Sequence, residues 1–201
     1  MNKWIILLTM AVSNIKGDIK DTNYRKNLYA TQLFRWLKYT NFKIVIVESS
    51  GFDFPNINHE RLSKISFRFN EPLTSSSQYE ANSILYALNH IKDTDYYKNC
   101  THILKVTGRY FLNGIENHLT SKPQDKDLYL QRHRNDEIKW QNSEYYGIRK
   151  ELLENFINTV KNSGLMENKL WDFSIGKSGC YIGYFKNNIR RGGDNLLIEN
   201  L

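Results

Sequence analysis

Residues 102–114 read HILKVTGRYFLNG. Ile103, Leu104 and Val106 supply the apolar run of a buried strand. Thr107-Gly108-Arg109-Tyr110 then breaks it with polar residues, before Phe111 and Leu112 turn apolar again. In open parallel sheets the ligand crevice lies outside the carboxyl ends of the strands. A strand that runs straight into a glycine and an arginine therefore marks a candidate anion site. Gly108 permits positive φ and close backbone approach to a ligand. Arg109 offers a planar fork of donors suited to phosphate oxygens. Tyr110 has a ring that can stack on a base or sugar. A tight turn whose arginine pairs with a surface acid fits the same residues, and composition leaves both readings open.

Upstream, Trp4 to Val12 is a continuous apolar run, as expected of a strand buried on both faces. From Tyr24 to Tyr39 the period becomes helical, with Tyr29, Leu33, Trp36 and Leu37 at i, i+4, i+7 and i+8. Ile44 to Val47 forms a second buried strand, ended by Glu48-Ser49-Ser50-Gly51. Strand, helix, strand over this span predicts a βαβ unit and a parallel sheet with right-handed crossovers. Residues 64–69 alternate, with Ile65, Phe67 and Phe69 on one face, which predicts a half-exposed strand near an edge. A helix is expected from about Gln78 to Ile91.

Downstream, 128–131 and 145–148 read as short strands, 149–161 and 165–173 as helices, and 176–185 as β-like and broken by glycine. RHRNDEIKWQN (132–142) reads as a polar loop. No repeat, low-complexity tract or linker divides the chain. The expected fold is a single α/β domain over residues 1–201, with a mostly parallel sheet flanked by helices.

The chain has 201 residues, 40% of them hydrophobic, which excludes a disordered protein. The net charge of +7, with a pI of about 9.3, suits an anionic partner. Lys and Arg are nevertheless scattered rather than gathered into a basic groove, so nucleic acid is not the expected partner. No stretch reaches the ~18 apolar residues of a membrane span. The opening MNKWIILLTMAVSN reads as a first core strand rather than a short signal peptide. Cys100 and Cys180 lack metal-ligand spacing and read as reduced thiols of a cytoplasmic protein, one that can sit peripherally on a membrane. The five histidines have no metal-binding spacing either. There is no Walker loop, Gly-x-Gly-x-x-Gly or nucleophile elbow.

The crevice rule selects Thr9-Met10, Glu48-Ser49-Ser50 and Thr107–Tyr110 as the three strand-end clusters. Asp93-Thr94-Asp95 and Asp125-Lys126-Asp127 match Asp-x-Asp but precede their strands, at the wrong end for the crevice. Candidate bases are Glu144, Glu167 and Asp172. Glu167 opens a short helical stretch carrying Leu170 and Trp171, where an acid also stabilises the helix dipole.

The segments YRKNLYATQLFRWLKYTNFKIVIVESSG, SSQYEANSILYALNHI, ILKVTGRYFLNG and QNSEYYGIRKELL jointly resemble small GT-A-type glycosyltransferases. These occur in bacterial surface-polysaccharide loci and in large DNA viruses, and the resemblance spans most of residues 4–172. It implies a GT-A-like fold, with a nucleotide-binding half over about 1–110 and an acceptor half over about 111–201. It also implies polysaccharide biosynthesis: transfer of a sugar from a nucleotide-diphosphate sugar donor to a glycan acceptor. Thr9, Glu48, Ser49 and Thr107–Tyr110 would then surround the donor, with Glu80 near its sugar. Glu167 would be the base, ahead of Asp172 and Glu144. The family holds Mn²⁺ or Mg²⁺ on an Asp-x-Asp motif where this sequence has Thr-Gly-Arg-Tyr. Arg109 could supply that charge instead, and metal dependence stays open. Arg190 and Arg191 could clamp the diphosphate or belong to a solvated tail.

Two other classes fit parts of the sequence. Asp127 with Glu137-Ile138-Lys139 matches the loose acid…acid-x-lysine pattern of metal-dependent nucleases. A non-catalytic nucleotide- or carbohydrate-binding domain would need only the crevice.

Overall fold

A computed structural model describes residues 3–13, 19–69, 73, 75–120, 125–131, 134–176 and 179–185. Its first half comprises β1 (Trp4–Met10), α1 (Ile19–Tyr39), β2 (Lys43–Glu48), β3 (Leu62–Ser66), α2 (Ser76–Ile91), α3 (Asp95–Lys98) and β4 (His102–Thr107). The second half adds α4 (Ile115–Thr120), β5 (Leu128–Leu130), β6 (Arg134–Asn135), β7 (Trp140–Gln141), β8 (Tyr145–Arg149), α5 (Lys150–Ser163), α6 (Met166–Ser174) and β9 (Ile182–Tyr184).

Seven strands form one mixed sheet in the order β3-β2-β1-β4-β8-β5-β9. The first four are parallel, β8 runs antiparallel to β4 and β5, and β9 pairs parallel to β5. All seven residues of β1 are buried, because helices cover both faces. Ile6, Leu8, Ile46, Leu104 and Val106 pack with Leu33 and Trp36 of α1 on one face. Ile5, Leu7, Val47 and Ile103 pack with Ile84 and Leu88 of α2 and Phe156 of α5 on the other. Each such buried side chain contributes about 1.5–3 kcal/mol, so these two layers fix the sheet against its helices. Ser75 caps α2, its hydroxyl accepting the Gln78 N–H at 3.2 Å.

The α/β class, the parallel first half and the edge position of the 64–69 region match the sequence-based expectation. Several boundaries differ. Strand β1 ends at Met10 rather than Val12, because the Val12 N–H turns to the Glu48 carboxylate at 2.8 Å instead of continuing the ladder. Within the stretch expected to be a polar loop, β6 and β7 pair as an antiparallel hairpin. Helix α4 is held by buried Ile115 and Leu119, a pair too short to announce itself as a period. Among the described residues, no helix is long and apolar enough to cross a membrane.

Candidate active site at the carboxyl ends of the parallel strands

Register brings Thr9 beside Thr107, and Met10 beside Glu48, at one rim of the sheet. The turn after β4 is tied down by three backbone bonds. Thr107 N–H reaches Glu144 O at 2.8 Å, Gly108 N–H reaches Thr9 O at 2.8 Å, and Tyr110 N–H reaches Thr107 O at 3.0 Å. The turn lies at the carboxyl rim, as the crevice rule requires.

The glycine in that turn has a different reason from the one expected. Gly108 is not among the positive-φ residues. A Cβ there would lie 2.5 Å from Met10 Cγ, 2.9 Å from Met10 Cε and 3.2 Å from Thr9 O. Close packing of β1 against the turn, not a left-handed backbone, excludes a side chain. Tyr110 also departs from expectation. It is 8% exposed within the α1-side core, and its carbonyl accepts the Trp36 indole N–H at 2.9 Å. Its ring is core, so it offers no stacking face to a base. Arg109 is exposed, with its guanidinium 5.2 Å from the centroid of the Tyr110 ring. With the described residues it makes no hydrogen bond or ion pair.

Arg25, not singled out in the sequence, shares that corner. Its Nε pairs with Asp21 at 2.9 Å, and its guanidinium reaches Ala11 O at 3.4 Å. Burial raises the pKa of the nearby Tyr29 phenol, while Arg25 and Arg109 both oppose the rise.

Glu48 does not face outward. It is fully buried and accepts the N–H groups of Val12 at 2.8 Å, Ser50 at 3.0 Å and Phe52 at 2.7 Å, together with the Ser50 hydroxyl. A carboxylate so occupied organises the loops after β1 and β2; it has no oxygen to spare for a nucleoside. Ser49 braces the same corner, donating its N–H at 3.0 Å and its hydroxyl at 3.2 Å to Met10 O.

On the α2 side the centre is Lys105, a residue the sequence reading passed over. Strand alternation sends it to the same face as Ile103, where it is fully buried. Its ammonium lies 2.7 Å from Glu80 Oε1, 2.8 Å from Ser143 O and 3.3 Å from Thr107 Oγ1. All three of its donors are thus used. Thr9 donates its hydroxyl to the same Glu80 oxygen at 2.6 Å. Glu80 and Thr9 are therefore brought together, around a lysine of the protein itself.

Glu167 lies in the first turn of α6, half-buried. The Ser143 hydroxyl donates to its Oε1 at 2.9 Å, and the Ser77 hydroxyl to its Oε2 at 3.4 Å. Ser77 in turn accepts the Met166 N–H at 3.2 Å. Glu144 is 5% exposed and accepts from Gln131 Nε2 at 3.3 Å. Its burial and its carbonyl bond to Thr107 make it a tether for the turn. Asp172, five positions after Glu167, lies about 140° further around the helix. It sits 4.0 Å from Lys169, off the face that meets Ser143.

Asp127 binds Arg149 Nε at 2.7 Å and Tyr181 N–H at 3.0 Å at the amino end of β5. Asp95 lines a cavity of about 470 Å³ at the amino ends of the strands, with Lys3, Lys43 and Tyr96. Both Asp-x-Asp matches are thus at the rim away from the turn. A second cavity, of about 540 Å³, lies between Arg35, Phe111 and Asn113. Neither of these two cavities includes Arg109, Glu80 or Glu167. Arg190 and Arg191 lie outside the described residues.

The chain matches no family model. No curated protein matches it in sequence. Solved structures share its architecture. A candidate nucleotide-diphospho-sugar transferase from Desulfovibrio desulfuricans superposes with a TM-score of 0.55 at 9% identity, covering 92% of this chain and 80% of that one. A glycosyltransferase from Streptococcus pneumoniae gives 0.52 at 10% identity, covering 92% of this chain and 46% of that one. A cytidylyltransferase from Leptospira borgpetersenii gives 0.52 at 13% identity, covering 93% and 77%. Likeness at such identity establishes the fold: this chain has the nucleotide-diphospho-sugar transferase fold.

Proposed function

We propose that the protein is a glycosyltransferase that moves a sugar from a nucleotide-diphosphate sugar to a glycan acceptor. The observation that carries this reading is the Glu167 carboxylate. It is held by Ser143 and Ser77 at the carboxyl rim, the same rim that carries the turn with the exposed Arg109.

In this reading Arg109 takes the diphosphate oxygens through charge-assisted hydrogen bonds. As the bond between the anomeric carbon and the diphosphate breaks, its electron pair leaves with the diphosphate. The guanidinium stabilises that growing charge. Glu167 accepts the proton of the acceptor hydroxyl while the hydroxyl oxygen bonds to the anomeric carbon. The two serine hydroxyls fix the direction in which the carboxylate points.

A divalent ion of the family type does not fit this strand end. The turn offers a threonine hydroxyl and an arginine, and nearby carboxylates already have partners: Glu80 with Lys105, Glu48 with backbone N–H groups. Among the described residues, no group of three or more His, Cys, Asp or Glu could hold a metal. No step here is routed through Mn²⁺ or Mg²⁺.

The cytidylyltransferase likeness supports nucleotidyl transfer as a second reading, one that releases pyrophosphate rather than a nucleoside diphosphate. The nuclease pattern is less well served. Asp127 is occupied at the start of β5, while Glu137 and Lys139 lie exposed in the β6–β7 turn beyond its other end.

The test is incubation with UDP-, GDP-, dTDP- and CMP-sugars, followed by analysis of the released nucleotide. Slow release of free nucleotide, absent from Glu167→Gln, supports sugar transfer. With pyrophosphate added to the same incubations, formation of a nucleoside triphosphate supports nucleotidyl transfer, and formation of neither product overturns both.

A further inference from the structure

A buried lysine inside a parallel strand demands a reason. Removing an ammonium from water costs several kcal/mol, and apolar residues of similar volume often serve stability as well or better. Lys105 is 0% exposed between Leu104 and Val106, so the core alone would favour a hydrophobe there.

Its contacts supply the reason. The ammonium joins two elements that do not otherwise share a strand: α2, through Glu80, and the segment before β8, through Ser143 O. Those same elements carry the two serines that hold Glu167. Ser77 stands one helical turn before Glu80 on α2, and the Ser143 hydroxyl points to Glu167 while its carbonyl points to Lys105. Both arms of the clamp therefore meet at one ammonium. Thr9 on β1 adds a further bond to Glu80 and ties this hub to the centre of the sheet.

We propose that Lys105 is a positioning residue that sets the orientation of the Glu167 carboxylate by fixing the spacing between Ser77 and Ser143. The inference deepens the glycosyltransferase reading, in which Glu167 is the base, but the clamp itself can be tested without activity.

The experiment compares crystal structures and kinetics of wild type, Lys105→Met and the double variant Glu80→Gln/Lys105→Met. The double variant removes both charges and so avoids a stranded carboxylate should the single variant not fold. In either variant, the expected structure shows Ser143 Oγ beyond hydrogen-bond reach of Glu167 and the carboxylate displaced by about 1 Å. A displacement of that size costs on the order of 10²-fold in rate. The turnover number for nucleotide release from the best substrate of the sugar-nucleotide panel should fall by that factor, with the donor KM changed by less than about threefold. Ser143→Ala should show a similar fall, and Lys105→Met should add little on top of it, because both act through one bond.

Glu167 still bonded to both serines in the variants overturns the proposal. So does a raised KM with unchanged turnover, or effects of Ser143→Ala and Lys105→Met that multiply. If wild type releases nucleotide from no sugar of the panel, the glycosyltransferase reading fails, and the crystallographic comparison alone decides the role of Lys105.

Discussion

The Ser143 hydroxyl donates to Glu167 Oε1 at 2.9 Å, across 24 residues of sequence. That bond links the antiparallel half of the sheet, which begins at β8, to the first turn of α6. It places a partly solvated carboxylate at the rim where the parallel strands end. The helix N-terminus alone would favour an acid there, but it would not dictate where the oxygens point.

Replacement of Glu167 by Gln keeps the shape and one acceptor oxygen but removes the base. Loss of a positioned base typically costs about 10²–10⁴-fold in rate. We expect a fall of that order in transfer, with nucleotide-sugar affinity, measured by calorimetry, within about threefold of wild type. Transfer unchanged by the substitution would move the base elsewhere.

Arg109→Ala separates binding from folding. Among the described residues the exposed guanidinium makes no hydrogen bond or ion pair and lies 5.2 Å from the centroid of the Tyr110 ring, so the melting temperature should stay close to wild type. Hydrogen bonds to charged groups contribute about 1.5–3 kcal/mol. Donor affinity should therefore weaken by about 10- to 100-fold. Equal affinity in the variant would remove Arg109 from the site.

At Gly108 the prediction concerns stability. An added methyl meets Met10 Cγ at 2.5 Å, and overpacking of this kind costs about 1–3 kcal/mol. Gly108→Ala should lower the urea midpoint. Met10→Ala, though destabilising alone, should remove most of the cost of the second substitution, leaving only the 3.2 Å approach to Thr9 O. Additive losses in the double variant would mean that Met10 is not what excludes the side chain.

The pH dependence of stability should carry a signature of His102. Burial, the largest cause, lowers its pKa from the ordinary 6.5, and its ring nitrogens meet Lys126 O at 2.9 Å and Thr101 Oγ1 at 3.0 Å. Just below pH 6.5 the unfolded chain takes up a proton that the folded chain refuses. The contribution is thus fully present above 6.5 and declines as the pH falls toward the lower folded value. His102→Gln should flatten the slope of unfolding free energy below pH 6.5, read from urea titrations. A slope identical to wild type would assign the dependence to other groups.

Much of the fold was legible because buried parallel strands leave continuous apolar runs, as in Trp4–Met10 and Ile44–Val47, and amphipathic helices leave a period. The two-residue strands of the β6–β7 hairpin leave neither, since polar residues pair there as readily as they form a loop. At the rim, the identity of Gly108 was legible but its reason was not, because Met10 meets it only once β1 and β4 are aligned. Glu48 after a strand looks the same in sequence whether it faces water or gathers backbone N–H groups. Lys105 did leave a signal, a charge on the inward face of an apolar strand. Ser77 and Ser143 left none, since only the folded chain brings them to one carboxylate.

The most direct test of the central claim, that the 107–110 turn binds a nucleotide diphosphate, is thermal unfolding with nucleotide sugars in EDTA. At a hundredfold excess over Kd, a ligand selective for the folded state adds about 2.7 kcal/mol, or roughly 5–10 °C for a chain of this size. The account predicts such a rise for at least one nucleotide-diphosphate sugar with wild type, and its loss in Arg109→Ala. The same rise in the variant, or none with any nucleotide sugar, would contradict it.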